Sequence, residues 1–276
     1  MTRHLRPPRR PPLRLRAMPA FQRYLGIDYS GARTPECGLP GIRAYAASPE
    51  IAPAEIAPPR GRRRHWSRRD LANWLVGELR EGPRTLVGID HSFSFPQSYF
   101  DAHGLGSDWN AFLEDFRRHW PTHLPGVSVE SVRRGEVGDG SARAGSARWR
   151  RLAERRSRAK SVFHFDVPGS VAKSTHAGLP WLLHLREQLG ERLHFWPFDG
   201  WTPHPQRSVV AEIYPSLWSH VHLPADRDPH QHDAYCAAAW MRDRDAADEL
   251  GCFFQPLLPP EEASVAAVEG WILGLG

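Results

Sequence analysis

Two short apolar runs in this chain, "RYLGID" ending at Asp28 and "TLVGID" ending at Asp90, close on the same Gly-Ile-Asp. A nearly continuous apolar run of this length marks a strand buried on both faces, as in a parallel sheet covered by helices. An acid at the C-terminal end of such a strand lies where open α/β sheets bind ligands. The repeat therefore points to an α/β fold with at least two carboxylates at one edge of its sheet.

The rest of the chain is read around these two strands. "GIRAYAAS" from Gly41 has the length of a second strand, paired as a hairpin with the first around the Gly31 to Gly38 turn. The prolines and arginines of "PEIAPAEIAPPRGRRRHW" leave room for no more than a short edge strand. Ser67 and Asp70 have capping-box spacing, and Leu71, Trp74, Leu75 and Leu79 mark one face of the helix that follows. From Pro96 to about Gly169 the periodicity loosens into a helix led by Ser107, with Trp109, Phe112, Phe116 and Trp120 on one face, and then an arginine-rich tract. We read residues 97–170 as an insertion in one domain spanning 21–276. Beyond it, "GLPWLLHLREQLG" is a helix closed by Gly190, "RLHFWPF" and "RSVVAEIYP" are strands, and Glu212 tips the second of these. Asp228, Pro229 and Gln231 open a last clear helix as N-cap, first-turn proline and capping-box partner. Asp233 shares its apolar face with Ala237, Trp240 and Met241, while Ala234, Ala237 and Ala238 permit close approach to a sheet.

Composition narrows the function classes. With 276 residues, 41% of them hydrophobic, the chain can bury a substantial core. It has no apolar run of the roughly 18 residues that a membrane span needs, so no membrane partner is expected. Cys37, Cys236 and Cys252 are odd in number and lack a Cys-x-x-Cys pair, which argues against a disulfide scaffold and a thiolate zinc site and makes a reducing cytoplasm the expected compartment. The net charge of +5 is local in origin. Arg3, Arg6, Arg9, Arg10, Arg14 and Arg16 precede Met18, and without those six the 36 basic residues fall to 30 against 31 acidic ones. That leader, within an expected disordered stretch 1–20, reads equally as a polyanion-touching arm, as sequence upstream of a start at Met18, or as an inert tail.

Three acids at strand tips and a fourth on a facing helix would repel one another unless a cation were added. A hard divalent metal is the physical remedy: Mg²⁺ or Mn²⁺ takes oxygen ligands, and two such ions can orient a water and stabilise a leaving oxygen in phosphodiester hydrolysis. Each acid also has a plain alternative. Asp28 or Asp90 could be a turn or cap residue, Glu212 could pair with Arg207 or Arg84, and Asp233 with His230 or His232.

"GIDYSG", "VGIDHSFSFP", "AEIYPS", "HDAYCAAA" and "EGWILG" together, in that order from about Tyr24 to Gly274, resemble the family catalogued as domain of unknown function 429, a predicted-nuclease family of the ribonuclease H-like superfamily. The resemblance implies a ribonuclease H-like α/β fold whose mixed five-stranded central sheet, three antiparallel strands followed by two parallel ones, is flanked by helices. It also implies metal-ligand roles for Asp28, Asp90, Glu212 and Asp233, and a nucleic-acid partner, DNA or RNA.

Weaker signals remain. "GSVAKSTHAG" has Lys173 and Ser174 placed to bind a phosphate at a helix start, although Ala172 stands where a phosphate loop has glycine. Ser141 to Lys160 holds eight basic residues against Glu154 alone, so Arg158 and Lys160 are candidates for phosphate contact, with a solvated face as the plain alternative. His230, His232 and Asp233 could form a transition-metal site, and Trp196, Trp201 and Trp218 could stack on bases. "GIDYSGA" also resembles the first phosphate motif of the actin and sugar-kinase ATPases, in which a hydroxyl such as Ser30 holds phosphate. Nucleotide binding is thus the alternative to a nuclease, and a non-catalytic nucleic-acid-binding module is a third reading.

Overall fold

The computed structural model of the protein describes residues 18–59 and 64–276. The arginine leader from Arg3 to Arg16 and the cluster at Arg60, Arg62 and Arg63 lie outside the described residues.

A six-stranded mixed sheet forms the centre. Its strands are β1 (Arg23–Asp28), β2 (Arg43–Ala47), β3 (Ala54–Glu55), β4 (Thr85–Asp90), β5 (Leu193–Trp196) and β6 (Ser208–Glu212), in the spatial order β3-β2-β1-β4-β6-β5. β1, β2 and β3 pair antiparallel, whereas β4, β6 and β5 continue parallel to β1. The hairpin of β1 with β2 and the short edge strand are as expected. The count departs from the five that the resemblance implied: "RLHFWPF" joins as β5 at the outer edge, and the chain then returns to place β6 between β5 and β4, which makes six. Past the end of β5, the C-terminal Ile272 takes over as neighbour of Glu212.

Nine helices cover the sheet among the described residues. α1 (Arg68–Glu81) is capped by Ser67, whose hydroxyl oxygen accepts the Asp70 N–H. α7 (Pro229–Ala246) opens on the complete Asp228–Gln231 capping box. The irregular stretch after β4 contains α2 (Gln97–His103), α3 (Trp109–His119), α4 (Val129–Arg133) and α5 (Leu152–Ser157). The cap of α3 is Asp108 and not Ser107, since it is the Asp108 carboxylate that accepts the Ala111 N–H. α6 (Ala172–Leu189) begins well before the expected "GLPW" and ends at Gly190; α8 (Leu250–Phe254) and α9 (Pro260–Glu269) complete the chain.

Strand alternation divides the core in two. Leu25, Ile27, Val87, Ile89 and Val210 point to the face covered by α1, α3 and α6. Tyr24, Leu86, Val209 and Ala211 point to the face covered by α7. The insertion supplies much of the first cluster. Phe95 sits edge-on to Tyr99, Phe112 and Phe116 and is tilted against Phe163 and His176. On the second face α7 lies almost in backbone contact with β1: a Cβ at Gly26 would fall 2.2 Å from the Ala234 carbonyl oxygen.

Candidate functional site

β1 and β4 run parallel and in phase, which puts Asp28 directly beside Asp90 at the C-terminal end of the sheet. By alternation both acids share the face of Tyr24 and Leu86, the face on which α7 packs and to which it brings Asp233. β6 is paired so that Glu212 lies beside Ile89 rather than Asp90. That single-residue offset turns the Glu212 side chain to the opposite face.

Burial dominates the electrostatics of these acids, and their mutual charges add to it. Burial first, and then the charges of Asp28, Asp233 and Glu212 in that order, raise the Asp90 carboxyl well above the usual carboxylate range. Burial and then Asp28 push Asp233 up to about 6. Burial also raises Asp28, against the pull of His230, whose Nδ1 lies 2.6 Å from Asp28 Oδ2 and whose own titration is raised by that hydrogen bond. Among the described residues, neither Asp90 nor Asp233 has a hydrogen bond or ion pair to its carboxylate, so no paired protein cation offsets a charge on either.

Glu212 is placed differently. Arg151, on the first residue before α5, is 1% exposed and grips both Glu212 oxygens, with Nη1 2.7 Å from Oε2 and Nη2 2.5 Å from Oε1. The Phe93 N–H and the Ser92 hydroxyl donate to the same carboxylate. Arg151 also meets buried Glu154 and donates to the Glu269 carbonyl. Neither Arg207 nor Arg84 is the partner of Glu212: Arg207 pairs with Glu191, and Arg84 donates to the Arg207 carbonyl. Asp90, Arg151, Glu154, Lys160, Glu212 and Tyr214 are among the residues around a narrow cleft.

The remaining candidates divide. Ser30 stands beside His230 across Gly41, and the next residue, Gly31, is pressed against the start of α6, where a Cβ would meet the Lys173 carbonyl oxygen at 1.9 Å. The structure thus brings Ser30, Lys173 and Ser174 together, but as packed backbone. Ser174 is buried and donates to the Val171 carbonyl, and the Lys173 ammonium lies 2.6 Å from Glu130. Lys160 is exposed, donates to the Pro168 carbonyl and borders the cleft; Arg158 is an exposed residue at the end of α5. His232 turns away from His230 to Ser219 and Cys236, so the candidate His230–His232–Asp233 metal group does not form. Trp196 and Trp218 are buried core residues rather than stacking platforms, while Trp201 is half-buried.

No family model, curated protein or solved structure matches the chain.

Four residues of this region escaped sequence reasoning. Arg151 was one of eight basic residues in a tract with no periodicity to single it out, and His230 was weighed as a partner for Asp233, not for Asp28. Ser92 lies within "VGIDHSFSFP", but nothing in that motif gives it a role of its own. Arg68 is fully buried in the first turn of α1, and its guanidinium donates to the carbonyls of Ser30, Ala32 and Arg33, fixing the loop that leaves Asp28. The one available signal was a cation in the first turn of a helix, the end that disfavours positive charge, and Arg69 shares it.

The crowding has a measurable consequence. A carboxyl whose titration is raised by folding leaves the folded protein binding more protons than the unfolded chain, so stability falls as pH rises through that window. In metal-free protein, Asp90→Asn is expected to raise the thermal midpoint at neutral pH, by about 2–4 °C for each kcal/mol of repulsion relieved. The gain should vanish near pH 4 or below, where the carboxyl is protonated in both states. Calorimetric scans across this range check it; an equal gain at every pH would place its origin outside the charge.

Proposed function

We propose that the protein is a divalent-metal-dependent nuclease of ribonuclease H-like architecture that hydrolyses nucleic-acid phosphodiesters. The observation that carries this reading is the register that sets Asp28 beside Asp90 on the face to which α7 brings Asp233, with the Asp90 carboxyl raised by burial first and then by its neighbouring acids. Asp28, Asp90 and Asp233 would hold the ion. It would supply Lewis-acid stabilisation of the phosphoryl oxygens and an activated water.

Among the described residues, no three His, Cys, Asp or Glu side chains are already arranged as a metal cage. Mg²⁺ does not require one. It keeps several waters and is commonly held by one or two carboxylates together with the phosphates of its substrate. An all-oxygen donor set in which Asp90 and Asp233 have no paired cation fits that cation and not a softer one. In this reading His230 orients the Asp28 carboxylate through their hydrogen bond, Arg68 fixes the loop behind it, and exposed Lys160 and Arg158 meet the phosphate backbone. The nucleotide-binding alternative is less well supported, because the room a phosphate would need beside Gly31 is filled by the backbone of α6.

Incubation of purified protein with labelled single-stranded, duplex and branched substrates in Mg²⁺ or Mn²⁺ tests the proposal. Cleavage is expected, and Asp28→Asn is expected to lower it at least about a hundredfold. No cleavage of any substrate, or cleavage indifferent to Asp28→Asn, overturns it.

A further inference from the structure

The acidic edge is not symmetric. Asp28, Asp90 and Asp233 occupy the α7 face, whereas Glu212 faces the insertion. A carboxylate offers about four acceptor positions. At Glu212 four donors are in place: both Arg151 terminal nitrogens, the Phe93 N–H at 3.2 Å and the Ser92 hydroxyl at 3.4 Å.

Arg151 is also not free to leave. Its Nε is 3.1 Å from Glu154 Oε1, and one terminal nitrogen reaches the Glu269 carbonyl at 3.1 Å. A guanidinium does not deprotonate in a protein, so it cannot surrender Glu212 to a metal by losing its charge. Moving it aside would leave Glu154 as an unpaired buried anion.

From this we infer that Arg151 is a built-in replacement for a second metal ion. Glu212 is then not a ligand, and the acidic edge takes a single divalent cation on the Asp28, Asp90 and Asp233 side. The inference rests on the metal-dependent reading above, and it departs from a two-ion site fed by all four acids. The guanidinium would remain buried in the wall of the cleft that Lys160 also borders, its charge taken up by Glu212 and Glu154. Substrate phosphate would thus meet one exchangeable cation, with Arg151 serving only to hold Glu212.

Mn²⁺ titration followed by the electron paramagnetic resonance signal of free aqueous Mn²⁺ tests this on the full chain without any turnover measurement. One ion per chain is expected. Asp90→Asn should weaken it at least about thirtyfold, whereas Glu212→Gln, which keeps an acceptor for Arg151, should change the dissociation constant by less than about threefold. Two ions per wild-type chain, or Glu212→Gln weakening binding as much as Asp90→Asn, overturns the inference and leaves the metal-dependent reading standing. No ion bound by the wild type, or a single ion indifferent to Asp90→Asn, removes that reading itself. The wild-type stoichiometry needs no variant to fold, and a circular-dichroism melt accompanies each substitution.

Discussion

Replacing Arg151 with methionine is expected to destabilise the protein by about 3–5 kcal/mol, read as a lowered urea midpoint. The change removes one cation and leaves two buried carboxylates, Glu154 and Glu212, exposed 1% and 4%, without the partner they share. The loss of a pair is costly here because the remaining charge cannot reach water, not because the pair itself contributes so much. A second variant separates the two. Arg151→Met combined with Glu212→Leu should recover part of the loss, since an apolar side chain of similar size removes one of the stranded charges. A single-variant loss under about 1 kcal/mol would mean that water or another cation reaches Glu212, and the buried-pair account would fail.

The second large effect belongs to Gly26. A methyl group there would stand 2.2 Å from the Ala234 oxygen, 2.5 Å from the Ala238 nitrogen and 2.8 Å from the Ala237 Cβ. Two of these atoms are helix backbone, which has no rotamer to change, so α7 as a whole must lift from β1. Gly26→Ala is expected to lose roughly 1–3 kcal/mol or more, as overpacking of a close-packed interface does. It should also weaken Mn²⁺ binding, because the same helix delivers Asp233 and His230 to the acidic edge. Gly77 in α1 is the control, with nothing within 4 Å of its added Cβ. There alanine is expected to stabilise by about 0.5–1 kcal/mol through helix propensity alone. Thermal melts of both variants give the comparison, and equal behaviour of the two would refute the close-contact argument.

What the sequence disclosed and what it withheld follow from the range of the interactions involved. Asp28 and Asp90 were legible because a strand end is a local pattern, and two identical patterns in parallel strands came out in register. The α7 capping box and its small-residue face were likewise local, and both form. The position of Glu212 was not local. "AEIYP" marks a strand tip, but nothing within the segment states that β6 pairs with β4 one residue out of phase, and that offset decides which face the side chain takes. The strand order was hidden for the same reason, since β5 and β6 read alike as short apolar runs and their sequence order is not their order in the sheet. Arg151 was the least legible. Its neighbours in the tract include exposed arginines of the same kind, and its burial depends on Glu212 and Glu269 arriving from two distant parts of the chain to join Glu154, three residues on.

The stretch between β4 and α6 looks, on paper, like the part of the molecule a protein engineer would trim. It is irregular, rich in polar residues and framed by regular elements. Yet Phe112, Phe116 and Phe163 from that stretch wrap Phe95 and His176, and Arg151 closes on the tip of β6. A minimised version of this protein would therefore have to redesign the central sheet as well: a neutral residue in place of Glu212, and new apolar cover for the face beneath Phe95.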